Sequence, residues 1–333
     1  MKQLVTFGEV MMRLSPPQHL RLAQASSLEV TYGGGEANVA AALAGLGVPA
    51  AHVSCFPATD LGRAATQHFR GLGVDMQHSV LRGQRLGLYF LEVGASLRAS
   101  QVVYDRAGSA FAELAPEDFD WNAILKDAGG LHWTGITPAI SAAAAQATRE
   151  AIAAARRLDV PVSADVNYRR NLWQYGQTAQ DVMPELVAGC DLIFCSEHDA
   201  ADLFHLHPQP NVENSFADEA AQLLQRFPQV RQVVTTRRHT QSASHERIKA
   251  LLYDGQFVET EFLDIAPVVD RIGGGDAFVA GFLYGTRHYA TPQQALQFAL
   301  AASALKHTIP GDVNRVSVAE VEHVMQGNTS GRL

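Results

Sequence analysis

The sequence predicts a three-layer α/β/α fold with a mostly parallel central sheet and a small β-sheet standing off it as a lid. Three observations carry this. Strand-length apolar runs alternate with helical patterns from residue 4 to residue 236, and a closing group of helices follows. Two segments, about 11–32 and 85–105, instead alternate apolar and polar residues with no helix between their strands. The 333-residue chain is 47% hydrophobic and 18% charged, the composition of a globular chain whose length suits one large domain over 1–333.

LVTFGEV (4–10) reads as an opening buried strand, and a helix begins near Glu36. AHVSCF (51–56), GLHWTGI (130–136), VPVSADV (160–166), CDLIFCS (190–196) and VRQVVTT (230–236) follow as apolar runs of strand length. Helical patterns fall between them at 60–73, 141–158, 178–188 and 215–227, then at 275–288, 292–307 and 317–326. Strand and helix in regular alternation mean βα crossovers, hence a parallel sheet covered on both faces. In such sheets ligands bind beyond the carboxyl ends of the strands. The segments 11–32 and 85–105 are placed to cover that end as a lid.

No apolar stretch approaches the ~20 residues needed to cross a bilayer, and the start lacks the apolar core of a signal peptide. A cytoplasmic protein without a membrane partner is expected. Cys55, Cys190 and Cys195 are an odd set without a CxxC pair, which indicates neither a disulfide framework nor a zinc site. A net charge of −8 argues against a nucleic-acid partner, whose phosphates demand positive charge. His205 and His207 lack an evident third metal ligand, and Ser109 in AGSAF lacks the second glycine of a nucleophile elbow.

VDRIGGGDAFVAGFLYG (269–285) sets Gly273, Gly274 and Gly275 directly before Asp276 and an apolar helical run. Taken alone, this is either an Asp at a helix start after a flexible turn or an anion cradle with a base beside it. Glycines let main chain approach a ligand closely, and orphan amides at a helix start attract phosphate. GGGEANVAAALAGLG (33–47) fails as a dinucleotide fingerprint because Asn38 stands where a third glycine belongs. No GxxxxGK[ST] is present. Asn38 is then either a helix-start residue or a donor and acceptor for a polyol.

Together the two glycine clusters resemble the signature regions of the ribokinase-like (PfkB) sugar kinases, and the resemblance extends over essentially the whole chain. It implies a ribokinase-like fold with ATP as donor, Mg²⁺ arriving with the nucleotide, Asp276 as the base, and Gly273, Gly274 and Gly275 as the amides around the transferring phosphoryl group. Within that family, LGLYFLEVG (86–94), VVYDRAGSAF (102–111), LHWTGITPAIS (131–141), SADVNYRRNLW (163–173) and LKHTIPGDVN (305–314) are similar to the kinases of 2-keto-3-deoxygluconate. The implied reaction transfers the γ-phosphate to a primary hydroxyl of that acid, giving the 6-phosphate. The alternatives are a fructokinase or another PfkB-type sugar kinase and, from a different class, a non-catalytic sugar or nucleotide sensor.

The same resemblance gives Gly34, Asn38, Tyr89, Tyr104, Arg106, Arg169 and Asp312 as sugar contacts. An acid sugar suits such a set, because Arg and Tyr donate to carboxylates. On the nucleotide side the chain departs from the wider family. FCSEHDAADLF offers Ser196 and Asp199 where an Asn-x-x-Glu motif is usual, and TTRRHTQSASHER (235–247) replaces a glycine-rich loop. Asn167, Arg237, Ser242, Ser244 and His245 are the expected nucleotide contacts; no metal ligands are assigned. Asp270 lies where family members often bind a monovalent cation. A homodimer paired through the lid is also expected.

Overall fold

A computed structural model of the chain describes residues 1–328. The amino-terminal part runs β1 (Leu4–Phe7), β2 (Met11–Ser15), β3 (Glu29–Gly33), α1 (Gly35–Gly45), β4 (Ala50–Val53), β5 (Cys55–Phe56), α2 (Asp60–Gly71), β6 (Val80–Leu81), β7 (Gly87–Glu92) and β8 (Gln101–Asp105). The middle continues through α3 (Trp121–Leu125), β9 (Gly130–Thr134), α4 (Thr137–Ile140), α5 (Ala142–Arg157), β10 (Val162–Asp165), α6 (Ala179–Val187), β11 (Leu192–Phe194), α7 (Glu197–Phe204) and α8 (Ser215–Arg226). The chain then forms β12 (Gln232–Ser242), β13 (His245–Tyr253), β14 (Phe257–Glu259), β15 (Leu263–Ile265), α9 (Gly274–His288), α10 (Pro292–Lys306) and α11 (Val318–Met325).

The main sheet has the order β14-β13-β12-β11-β10-β9-β1-β4, with β15 added to β13. Its strands from β4 to β12 are parallel, and β13, β14 and β15 join antiparallel. Successive side chains of a strand point to opposite faces, and here both faces are apolar. Val5 and Phe7 enter one core with Ile193 and Val233, beneath α5, α6, α7 and α8. Leu4, Leu192, Phe194 and Val234 enter the other, beneath α1, α9 and α10. The three-layer α/β/α arrangement expected from the sequence is therefore the one observed. Helix starts follow capping chemistry, with Thr59, Ser141, Thr178 and Ser196 each accepting from an amide of the first turn.

The second sheet has the order β3-β2-β7-β8. β2 pairs antiparallel with β3 and parallel with β7, and β7 pairs antiparallel with β8. It is mixed rather than purely antiparallel, because β2 and β7 both leave the main body in the same direction. β5 and β6 form a separate two-stranded pair.

One segment departs from expectation. Residues 235–247, read as a polar loop, form a hairpin in which β12 pairs antiparallel with β13 along most of its length. β12 runs well past its three-residue neighbour β11 and projects over the carboxyl end of the sheet. The signal was present in HERIKALLY: Glu246, Ile248, Ala250 and Leu252 are buried in alternation, and Asp254-Gly255 follows as a turn with Gly255 at φ 102°.

Candidate active site

The carboxyl ends of the parallel strands and the inner face of the lid enclose a cleft of about 540 Å³. Four of the parallel strands contribute through the residues that follow them: Glu9 after β1, Ile136 after β9, Asn167 and Arg169 after β10, Cys195, Ser196 and Asp199 after β11. Gly33–Glu36 and Asn38 enter from the start of α1, and Gly273, Gly275 and Asp276 from the start of α9. Two helix starts, each a region of partial positive charge, thus meet in one cleft.

Asp276 lies in the first turn of α9, and its Oδ2 accepts a hydrogen bond from Asn38 Nδ2 at 2.7 Å. The bond joins residues that are far apart in sequence and ties α1 to α9. Burial pushes the Asp276 carboxyl up to about 6; the Asn38 donation opposes this, Asp312 adds to it, and Arg169 and Lys306 oppose it. Gly273, at φ 78°, is the residue preceding the helix, and a Cβ there would lie 1.8 Å from the Asp312 carbonyl oxygen. Only glycine meets both conditions cheaply. The Gly274 amide reaches the Arg271 carbonyl at 3.3 Å. The amides of Gly275 and Asp276 have no acceptor within the helix, and no side chain caps it. Gly34 meets the same demand by close approach, since a Cβ there would sit 2.0 Å from the Glu9 carbonyl.

The lid side is held by a buried ionic network. Arg13 on β2 reaches Asp312 Oδ1 and Asp270 Oδ2, each at 2.7 Å, and its Nε donates to Ser15 at 2.9 Å. Tyr89 donates its hydroxyl to the second oxygen of Asp312. Asp270 also accepts from the amides of Ile272 and Gly311, at 3.0 and 3.1 Å. Both oxygens of Asp312 are thereby taken by protein donors, so Asp312 positions Tyr89 beside the glycine turn and offers the cleft little free acceptor. Lys306, 0% exposed, donates to the carbonyls of Asp270 and Ile309 at 3.3 and 3.0 Å. A buried ammonium therefore already sits at the Asp270 carbonyl.

Of the remaining residues expected to meet sugar, Tyr104 stands opposite Tyr89 on the neighbouring strand and is 54% exposed above the cleft. Arg106 lines the cleft but is paired with Glu9, which also accepts from Ser109. Arg169 lines the cleft, its side chain without an ion pair or hydrogen bond among the described residues, and its charge acts on Asp165 and Asp276.

The expected nucleotide contacts divide. Asn167, at φ 35°, lines the cleft and donates to Asp165 at 3.2 Å. Arg237, Ser242, Ser244 and His245 do not line it. Arg237 points to the opposite face of β12 and pairs with Glu197 at 2.9 and 3.0 Å. Ser242 and Ser244 belong to the hairpin turn, where the Ser242 carbonyl accepts from Arg271 and the Ser244 hydroxyl from the Ser96 amide. His245 is bonded to Asp264. Ser196 and Asp199 form the capping box of α7, and Asp199 also accepts from the Tyr168 amide at 3.2 Å. His205 ends that helix in a left-handed conformation. Among the described residues no cluster of three or more His, Cys, Asp or Glu could hold a metal by itself, and no helix is long and apolar enough to cross a membrane.

Sequence reasoning passed over Glu9, Arg13, Asp165, Arg238 and Lys306. Glu9 and Asp165 stood at strand ends, where ligands are met. Asp165 is half-buried at the end of β10, and desolvation together with Asp199 and Asp276 pushes its carboxyl up to about 7.

A half-buried carboxylate beside two helix starts, with the unpaired guanidinium of Arg169 lining the same cleft, is built for phosphoryl transfer to a hydroxyl. The sequence profile of the pfkB family carbohydrate kinases matches residues 1–317. A 2-dehydro-3-deoxygalactonokinase of Haloferax volcanii is 34% identical over 99% of this chain and 98% of its own length. A 2-dehydro-3-deoxygluconokinase of Thermoproteus tenax is 27% identical over 94% and 90%. The crystal structure of a 2-dehydro-3-deoxygluconokinase of Thermotoga maritima superposes with a TM-score of 0.93 at 39% identity, covering 98% of each chain. The chain belongs to the pfkB family of carbohydrate kinases, phosphotransferases with an alcohol group as acceptor.

Proposed function

We propose that the protein is one kinase domain, closed by its four-stranded sheet, that phosphorylates 2-keto-3-deoxygluconate at its primary hydroxyl to give the 6-phosphate. The carrying observation is Asp276, half-buried in the cleft wall, hydrogen-bonded to Asn38 and set beside free amides at the start of α9. Asp276 takes the hydroxyl proton as the sugar oxygen attacks. The bond from the γ-phosphorus to the bridging oxygen of ATP breaks, and ADP leaves with the electron pair. Asp165 and Asp199 suit Mg²⁺, which keeps several waters and needs one or two carboxylates besides the phosphates. A monovalent cation is not part of the proposal, since Lys306 already brings positive charge to the Asp270 and Ile309 carbonyls.

Arg169 is the group that reads the acid. It is the unpaired cation on the sugar side of Asp276, whereas Arg106 is committed to Glu9. The test is ADP release with 2-keto-3-deoxygluconate, its galacto epimer, fructose and ribose, for the wild type and Arg169→Ala. The wild type should prefer a keto-deoxy acid. The variant should raise the KM for that acid by about 10–100-fold, the worth of a charge-assisted pair, and leave turnover at saturation closer to normal. A preference for fructose, or a variant indifferent to the acid, would remove the assignment.

Three buried, unpaired cysteines suit a reducing, cytoplasmic setting. A homodimer through the outer lid face completes the proposal. Val30, Leu14, Phe90 and Val103 are successive cross-strand neighbours there, and Val30 and Val103 are 52% and 53% exposed. Such a contiguous apolar row favours burial against a second copy. Phe90→Lys should sediment as a monomer; a persistent dimer would place the interface elsewhere.

A further inference from the structure

The projecting hairpin places one cation against the phosphoryl cradle, and the strand register decides which. In an antiparallel pair, residues directly opposite one another share a face. Arg238 lies opposite Ile248, and Thr236 opposite Ala250. Ile248 and Ala250 are buried in the core shared with α9 and α10. Arg238 therefore emerges on the α9 side of the hairpin, while Arg237, one residue earlier, turns away to Glu197. Arg238 lines the cleft, and one guanidinium nitrogen is 3.8 Å from the point where a Cβ on Gly275 would stand.

Three cations surround this helix start. Arg271 donates to the Ser242 and Ala243 carbonyls, and Lys306 to those of Asp270 and Ile309. Arg238 alone of the three has no protein acceptor among the described residues. It also stands apart from the sugar side: Arg169 and Lys306 act on the Asp276 carboxylate, and Asn38 is bonded to it, whereas Arg238 lies beside the helix start at Gly275. A guanidinium beside free amides matches the planar, multi-oxygen charge of a phosphoryl group in transfer.

On the phosphoryl-transfer reading given above, we propose that Arg238 is a catalytic residue that grips the terminal phosphates of the nucleotide and the transferring phosphoryl group at the start of α9. This places the nucleotide-side positive charge on the β12–β13 hairpin, at a position where the chain has no glycine-rich loop.

The test compares full-length wild type, Arg238→Ala and Arg238→Lys in two measurements. In steady-state assays Arg238→Ala should lower kcat/KM for ATP by about 10²–10³-fold, as removal of one preorganised transition-state donor does. The sugar-acid KM should stay near that of the wild type, and Arg238→Lys should recover part of the loss. A wild-type kcat/KM for ATP in Arg238→Ala, or a loss confined to the sugar KM, would overturn the proposal. Calorimetric titration with Mg-ATP, without sugar, separates this from failure of the functional reading. If the wild type phosphorylates no sugar acid but binds Mg-ATP, weaker binding by Arg238→Ala still supports a nucleotide-side grip, and equal binding sinks it.

Discussion

Replacing Asp276 with Asn is expected to lower turnover by about 10²–10⁴-fold or more, the usual contribution of a positioned general base, while Mg-ATP still binds. The change keeps shape and volume, so the fold and the contact with Asn38 stay close to normal. What disappears is the ability to accept a proton at the oxygen not engaged by Asn38. The pH dependence follows in sign. Burial lifts the carboxyl to about 6, so the working, ionised form predominates at neutral pH and is lost as pH falls through that value. The plot of kcat/KM for the sugar, which reports the free enzyme, should therefore fall on its acid side near pH 6. In the Asn variant the residual rate should lose the Asp276 limb. A profile flat through the acid range would contradict the assignment.

Arg13→Met should be the most damaging change to stability. Methionine fills similar space but leaves Asp270 and Asp312 facing each other in a site where Arg13 itself is 5% exposed. Removing one partner of a buried ion pair typically costs about 3–5 kcal/mol, and here one guanidinium serves two carboxylates. The consequence extends beyond folding, because Asp312 holds Tyr89 and Asp270 fixes the amides of Ile272 and Gly311 beside the glycine turn. Denaturant unfolding followed by tryptophan fluorescence checks this. Adding Asp312→Asn to Arg13→Met should recover part of the loss by removing one stranded charge. A loss under about 1 kcal/mol, within the range of surface substitutions, would show that the network carries little.

The parallel sheet was legible because its strands are buried on both faces and read as uninterrupted apolar runs, as in CDLIFCS and VRQVVTT. Asp276 and Asn38 were legible because glycine clusters at helix starts are a local pattern with a local physical cause. The ionic network was not, since Arg13 and Asp312 are 299 residues apart and neither carries a mark of its partner. Lys306 was hidden at the end of an apolar helix, where a lysine reads as a solvated last-turn charge. In TTRRHT the sequence points to Arg237 as the nucleotide contact, and nothing local distinguishes it from Arg238, the one that lines the cleft. Only the pairing of Arg238 with Ile248 decides which of them faces the cleft, and that register depends on a strand read as a loop.

The central claim is that Asp276 takes the proton from the acceptor hydroxyl as the phosphoryl group passes beside the start of α9. A single-turnover experiment with Mg-ATP labelled in the γ-phosphoryl group, mixed with 2-keto-3-deoxygluconate, tests it most directly. The wild type should place the label on the 6-hydroxyl, and Asp276→Asn, loaded with nucleotide to the same extent, should do so at least about 100-fold more slowly. Transfer by the variant at nearly the wild-type rate would contradict the account.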